Sequence, residues 1–284
     1  MSIQTICIAK PTPAVLKIYP AYRAFFPGFY EALAAFHPVN VLELPDIWVR
    51  DFLPVQNSQT GELFLLSFNP RYANYTRTFT AEINAARQRL FPVPQCGVQI
   101  DGGNIVRGPD GMIFCLESRR IFRKGVAGEQ AQKEAALKQA LGARQIVWLA
   151  REQGDKINHI DGFMQFIGRT LFVSDERFDP YLKSLLARRL GQIFQVLPSV
   201  EVRFLPCVPD VTDKSGLSAR GIYVNFLETS RAVFVPQYNL PQDQEVLAII
   251  KTATDKPVVG IDCAAVSRYG GAVHCLTKEY EGKV

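Results

Sequence analysis

The chain has 284 residues, 48% of them hydrophobic, with 20 glycines and 18 prolines spread along it rather than clustered. That length holds two ordinary domains or one large closed one, at roughly 100–200 residues per domain, and the composition excludes a disordered or collagen-like chain. Lys and Arg outnumber Asp and Glu by 32 to 27, a net charge of +5. The densest basic stretch is only Ser118-Arg119-Arg120 through Arg123-Lys124, so no nucleic-acid partner is expected. Six cysteines (Cys7, Cys96, Cys115, Cys207, Cys263, Cys275) contain no C-x-x-C pair, and the histidines are His37, His159 and His274. No metal or cofactor is expected from that spacing. The first twenty residues lack a basic segment followed by an apolar run, and no apolar stretch reaches the ~18 residues of a membrane span. The expectation is a soluble cytoplasmic protein with reduced thiols and no membrane partner.

In chain order, apolar residues at three- and four-residue spacing first predict helix over Val15 to Phe36, where Pro20 and Pro27 should break it into pieces. A β-rich run, Val39 to Leu44, follows. The alternation then repeats: helix over Thr80 to Phe91 and strand over Val98 to Asp101, helix over Glu129 to Leu141 and strand over Gln145 to Leu149. Helix over Pro180 to Ile193 leads to strand over Val200 to Leu205, and helix over Asp243 to Thr252 to strand over Val258 to Asp262. Thr80 and Asp243 are the expected N-caps, and Pro180 suits a first helical turn. Hairpin-like pairs lie between. Gly103 to Arg107 turns through Gly108-Pro109-Asp110-Gly111 into Met112 to Leu116, Phe163 to Phe166 faces Thr170 to Val173 around Gly168, and Ile222 to Phe226 faces Ala232 to Val235.

The points at which each unit's first strand ends and its hairpin begins are Asp51, Asp101, His159, Arg220 and Gly271, at intervals of roughly 50–60 residues. Two architectures satisfy this pattern. One is an ordinary α/β domain whose elements alternate. The other is five strand–hairpin–helix repeats that bury their surfaces on one another by closing into a ring, one domain over residues 1–284 with a channel that loops from every unit can enter.

The chemistry-bearing residues sit at those same points. Asp46-Ile47-Trp48-Val49-Arg50-Asp51 puts an aromatic ring and two carboxylates within one loop, Asp101-Gly102-Gly103-Asn104 opens the second unit, and His159-Ile160-Asp161 the third. An i, i+2 spacing on an extended strand would turn His159 and Asp161 to one face. Gly270-Gly271-Ala272-Val273-His274-Cys275 opens the fifth. Singly, each has a structural explanation: a buried Trp beside a surface ion pair, a turn, a solvated strand end, a buried inert thiol. Their recurrence at equivalent points favours loops converging on one axis.

Asp46-x-Trp48-x-Arg50-Asp51, Asp101 to Asn104, His159-Ile160-Asp161, Tyr223-Val224-Asn225-Phe226 and Gly270 to Cys275, in this order from about residue 43 to the C-terminus, resemble the motifs of the agmatine deiminase and bacterial-type peptidylarginine deiminase family. The resemblance implies the pentein fold, a five-bladed α/β propeller of ββαβ units. It implies Cys275 as nucleophile on a guanidinium carbon, Asp51 and Asp161 gripping the guanidinium nitrogens, His159 moving protons, and Asp101 holding that histidine. Trp48, Asp46, Gly271 and Asn104 join Asp51 and Asp161 as expected substrate-binding residues. The expected reaction hydrolyses the guanidino group of agmatine or an arginine derivative to a ureido group, releasing ammonia. The chain departs from the family pattern at Phe52-Leu53-Pro54, at Asn158 before His159, and at Asp101 where Glu is commoner. Arg119, Arg120, Arg123 and Arg220 are candidates to meet a substrate carboxylate. Two alternatives use the same chain differently: amidino transfer from Cys275 to an amine, or a non-catalytic binding propeller. A homodimer is compatible with all three.

Overall fold

The structure is a computed structural model that describes residues 4–70, 72, 75–118, 121 and 127–282. Arg119, Arg120 and Arg123 lie outside the described residues. The chain opens with β1 (Gln4–Ala9), α1 (Pro13–Ile18), α2 (Tyr22–Ala34) and β2 (Val39–Leu42). It continues through α3 (Val49–Phe52), β3 (Val55–Gln56), β4 (Leu63–Ser67), α4 (Arg77–Leu90) and β5 (Gln95–Gln99). Then come β6 (Val106–Arg107), β7 (Met112–Leu116), α5 (Ala127–Leu141), β8 (Gln145–Leu149), β9 (Met164–Ile167), β10 (Thr170–Asp175), α6 (Pro180–Val196) and β11 (Glu201–Pro206). The last stretch is β12 (Leu227–Glu228), β13 (Val233–Gln237), α7 (Asp243–Lys251), β14 (Val258–Asp262) and β15 (Lys278–Glu281).

These strands form five three-stranded sheets of one design, with orders β3-β4-β5, β6-β7-β8, β9-β10-β11, β12-β13-β14 and β15-β1-β2. In each the first pair is antiparallel and the second parallel. An antiparallel pair needs only a short turn, whereas a parallel pair needs a crossover, which is why a helix always lies between the second and third strands. The fifth sheet takes its first strand from the C-terminus and its other two from the N-terminus, so it joins the chain ends and closes the ring of ββαβ blades. Buried apolar residues of β1, β13 and the neighbouring loops form the largest core cluster, with Ile6, Val15, Phe29, Phe226 and Val235 among its members.

The chain steps from one blade to the next at 43–54, 100–105, 150–163, 207–226 and 263–277. Each expected unit boundary, Asp51, Asp101, His159, Arg220 and Gly271, falls in one of these steps. The helix–strand alternation follows the sequence expectation, with local differences. The N-terminal helix breaks around Pro20 but runs through Pro27, which lies inside α2. Early in the helix a proline forfeits one backbone bond, and the ring contacts of Tyr22 with Phe25 and Phe26, and of Phe25 with Phe29, hold the segment. Thr76, not Thr80, caps α4 by accepting from the Phe79 N–H at 3.1 Å, while the Thr80 hydroxyl donates back to the Thr76 carbonyl. Asp243 is the first residue of α7 rather than its cap, because its carboxylate takes the Tyr223 hydroxyl and the Tyr238 N–H. The third strand of the first blade ends at Gln99, short of Asp101. Ile222 to Phe226 is a turn, not a strand, apart from a single bridge between Ile222 and Cys207, since Asn225 bends inward to the axis.

Candidate active site

The five steps bring the site together. Cys275 sits in a turn of 263–277 in which the Leu276 N–H donates to the Ala272 carbonyl at 3.1 Å. Asn225, from the fourth step, holds that turn. Its Oδ1 accepts from the N–H groups of Ala272 (3.1 Å) and Cys275 (3.3 Å), and its Nδ2 donates to Cys275 Sγ (3.2 Å) and to the Asp161 carbonyl (3.3 Å). Gly271 is required beside it: a Cβ there would lie 2.6 Å from Trp48 Cζ3 and 3.0 Å from Cys275 Sγ. The Cys275 thiol is 7% exposed and donates to Asp161 Oδ2 at 3.5 Å. Burial, and then the Asp161 and Asp51 charges, push its pKa well above the ordinary thiol value, against the Asn225 hydrogen bond.

His159 stands between two carboxylates. Its Nε2 is 3.2 Å from Asp101 Oδ2 and its Nδ1 3.5 Å from Asp51 Oδ1. Burial alone would lower its pKa; Asp51, Asp101 and Asp161 outweigh burial and raise it to about 10. Asp51 accepts the Gly103 N–H at 3.0 Å, a contact a side chain at Gly103 would obstruct, since its Cβ would meet Asp51 Oδ1 and His159 Nδ1 at 2.6 Å. Burial and then the Asp101 and Asp161 charges raise Asp51 to about 7, opposed by His159.

Asp161 faces the other way from the sequence expectation. His159 is the residue before a short turn, Ile160–Gly162, not part of an extended strand, so the two side chains diverge: His159 to Asp51 and Asp101, Asp161 to His274 Nδ1 at 2.7 Å. Burial and Arg50 hold His274 below its ordinary pKa, so the neutral ring donates its Nδ1–H. Burial works to raise Asp161, but the hydrogen bond from His274, with the His159 and Arg50 charges, brings it below its ordinary value. Arg50 closes the floor, its Nε donating to the His274 carbonyl (3.2 Å) and its Nη1 and Nη2 to Glu279 (3.1 and 2.5 Å).

A cleft of about 290 Å³ reaches Cys275 past Tyr19, Trp48, Tyr72 and Tyr269, with Asp51 and His159 in its wall. A second, of about 360 Å³, reaches Cys275 from the side of Asp161, Asp155 and Glu176. Trp48 lines the first, packed edge-on against Tyr19 at 5.9 Å. Two expected substrate contacts sit apart from these clefts. Asp46 is fully buried and accepts from the Tyr75 hydroxyl and the Ile47 N–H, both at 2.6 Å. The Asn104 amide is spent on the Leu116 backbone, donating to its carbonyl (3.1 Å) and accepting from its N–H (2.9 Å). Arg220 donates to the Tyr238 carbonyl, and His37 bonds Thr229 away from the cluster. Tyr72, which no sequence pattern marks, donates its hydroxyl to Asp101 Oδ2 at 3.2 Å and lies 3.4 Å from His159 Nε2. All six cysteines are free. Among the described residues no cluster of three or more His, Cys, Asp or Glu side chains is arranged for a metal, and no helix is long and apolar enough to cross a membrane.

A five-bladed α/β propeller with a buried cysteine, a histidine and several carboxylates at its axis defines a pentein. Residues 14–280 match the Porphyromonas-type peptidyl-arginine deiminase family, and the chain belongs to that family. A putative agmatine deiminase of Lactococcus lactis is 27% identical over 175 residues, 51% of this chain and 47% of that one. An agmatine deiminase of Pseudomonas aeruginosa is 24% identical over 208 residues, 63% of this chain and 56% of that one. The chain thus spans about half the length of these curated relatives. In fold it is similar to a cysteine-to-serine variant of C. jejuni agmatine deiminase with substrate bound, with a TM-score of 0.79 at 18% identity over 100% of this chain and 95% of that one.

Proposed function

We propose that the protein hydrolyses a guanidino group to a ureido group and ammonia, with Cys275 as nucleophile and agmatine as the leading substrate. The observation that carries this reading is Cys275 Sγ held between the Asn225 amide and Asp161 at the foot of a cleft walled by Asp51 and His159. Asp51, in the wall of one cleft, and Asp161, in the wall of the other, stand on two sides of Cys275, where the two clefts meet, and carboxylates so placed suit a planar cation with forked N–H donors. The names of the relatives point to the same substrate class.

In the resting protein Cys275 is a thiol. A guanidinium bound between Asp51 and Asp161 offsets their charge and lets the thiol lose its proton to solvent. The thiolate attacks the guanidinium carbon. His159, protonated in the free protein, gives its proton to the departing nitrogen, and ammonia leaves a thiouronium on Cys275. Neutral His159 then takes one proton from the attacking water; as the adduct collapses its hydroxyl proton passes to solvent, releasing the ureido product and the thiolate, and solvent protons convert ammonia to ammonium and the thiolate back to the thiol. The sum is guanidinium plus water to ureido compound plus ammonium. Proton transfer of this kind contributes about 10²–10⁴ in rate. Asp101 and Tyr72 would orient His159, and His274 would orient Asp161.

The proposal takes residues 1–284 as one catalytic domain, in the cytoplasm, compatible with a homodimer. Its test is product analysis with agmatine, arginine and an arginine-containing peptide, with Cys275→Ala as control. Ammonia and ureido product in equal amounts support hydrolysis. Product only when an amine acceptor is added would mean amidino transfer instead.

A further inference from the structure

The axis of the ring has a second mouth. A cavity of about 310 Å³ shares no lining residue with the two clefts that reach Cys275, and the innermost strand of every blade contributes to it: Val55, Arg107, Gln165, Glu228 and Lys278 come from β3, β6, β9, β12 and β15. Arg50, Glu279 and His274 form the partition between this mouth and the cysteine. Charge here does not balance. Arg50 is matched by Glu279, and Glu228 is already engaged by Lys256. Arg107 donates to two backbone carbonyls, those of Leu141 and Gln56, and among the described residues no ion pair joins it to a carboxylate. The Lys278 side chain is 93% buried by its 7% exposure, and among the described residues no hydrogen bond or ion pair engages its ammonium.

We infer that this second mouth is a binding site for a compact oxyanion, a phosphate or carboxylate group, held between the Arg107 guanidinium and the Lys278 ammonium. A buried, unpaired ammonium beside two guanidinium groups is costly, and a concave mouth with low-dielectric walls focuses its positive potential on whatever anion enters. Burial, and then Arg50, lower Lys278 to about 7 against the opposing Glu279 charge, so part of its charge is lost at neutral pH. An anion bridging Lys278 and Arg107 restores it through charge-assisted hydrogen bonds. The two carboxylates lining the mouth, Glu228 and Glu279, are each tied to a cation of their own, leaving the excess on Lys278 and Arg107. The site is independent of the hydrolysis proposed above.

Isothermal titration calorimetry of the full chain with inorganic phosphate, and separately with acetate, at constant ionic strength tests the site. Saturable one-to-one binding of at least one anion is expected, and the two arms tell which oxyanion the mouth prefers. Lys278→Met should weaken that binding about tenfold or more, the worth of a hydrogen bond to a charged group, with the melting curve reporting whether the variant folds. If it does not fold, Arg107→Gln takes its place with the same expected loss. No saturable binding of either anion, or affinity in the folded variant equal to the unsubstituted protein's, overturns the inference. Because the readout is heat of binding, a protein that turns over no guanidine can still pass or fail.

Discussion

Asn225 offers the sharpest perturbation. Its side chain makes four hydrogen bonds, to the Ala272 and Cys275 N–H groups, to Cys275 Sγ and to the Asp161 carbonyl, and it is 2% exposed. Asn225→Ala removes the acceptor from two buried N–H donors. Each buried group left unpaired costs about 1–3 kcal/mol, so the loss is roughly 2–6 kcal/mol. For a chain of this size that lowers Tm by on the order of 5–10 °C. The substitution also deletes the donor that stabilises a thiolate on Cys275, a charge-assisted bond worth about 1.5–3 kcal/mol, or a fall of roughly tenfold to a hundredfold in thiolate population. The assay is the rate at which iodoacetamide modifies Cys275, followed by peptide mass spectrometry below the melting range, beside thermal unfolding by circular dichroism. A variant that melts with the unsubstituted protein and alkylates at the same rate would refute the assignment of Asn225 as the clamp of the nucleophile.

Other consequences follow from the same geometry. Guanidinium binding needs Asp51 ionised, and its pKa is near 7, while leaving-group protonation needs His159 charged, with its pKa near 10. The pH profile of kcat/KM should therefore rise through about 7 and fall through about 10, and Asp101→Asn should move the upper limb down; a single limb, or an upper limb unmoved, contradicts these roles. The raised His159 pKa also contributes stability that is complete below its ordinary pKa of about 6.5 and lost as pH climbs through about 10, which urea unfolding at pH 6 and pH 10.5 checks. Gly271→Ala drives a methyl into Trp48 and Cys275 and should cost about 1–3 kcal/mol together with most of the turnover. Glu279→Ala leaves Arg50 buried and unpaired, so denaturant unfolding should report a loss of about 3–5 kcal/mol.

The repeat was legible because the hydrophobic period changes from three-to-four residues to two at every unit, and the crossing points were legible because they carry polar, non-periodic motifs in an otherwise apolar chain. Cys275, Asp51, His159 and Asp101 were therefore marked in the sequence and lie together in the structure. The first strand, Gln4–Ala9, was not marked. It is a short apolar run with no helix or strand period of its own, and its place depends on pairing with Lys278–Glu281 at the far end of the chain. The local cap at α4 was misread because Thr76 and Thr80 stand four apart on one helix face, and only the backbone turn decides which caps. Asp46 and Asn104 look like ligand contacts in their motifs, yet Tyr75 and the Leu116 backbone satisfy them, partners distant or unspecified in sequence. Tyr72 is a lone aromatic residue in a loop, and its link to His159 spans 87 positions. Asn225 stood in a motif, but its contact with Cys275 exists only once the fourth and fifth blade crossings meet.

The most direct measurement is acid quench of the protein during turnover of agmatine, followed by mass spectrometry of the Cys275 peptide. An amidino-type adduct on Cys275 is expected, present only with substrate, together with no ammonia release from folded Cys275→Ala. Turnover without any adduct on Cys275, or ammonia release that survives its replacement, would contradict it.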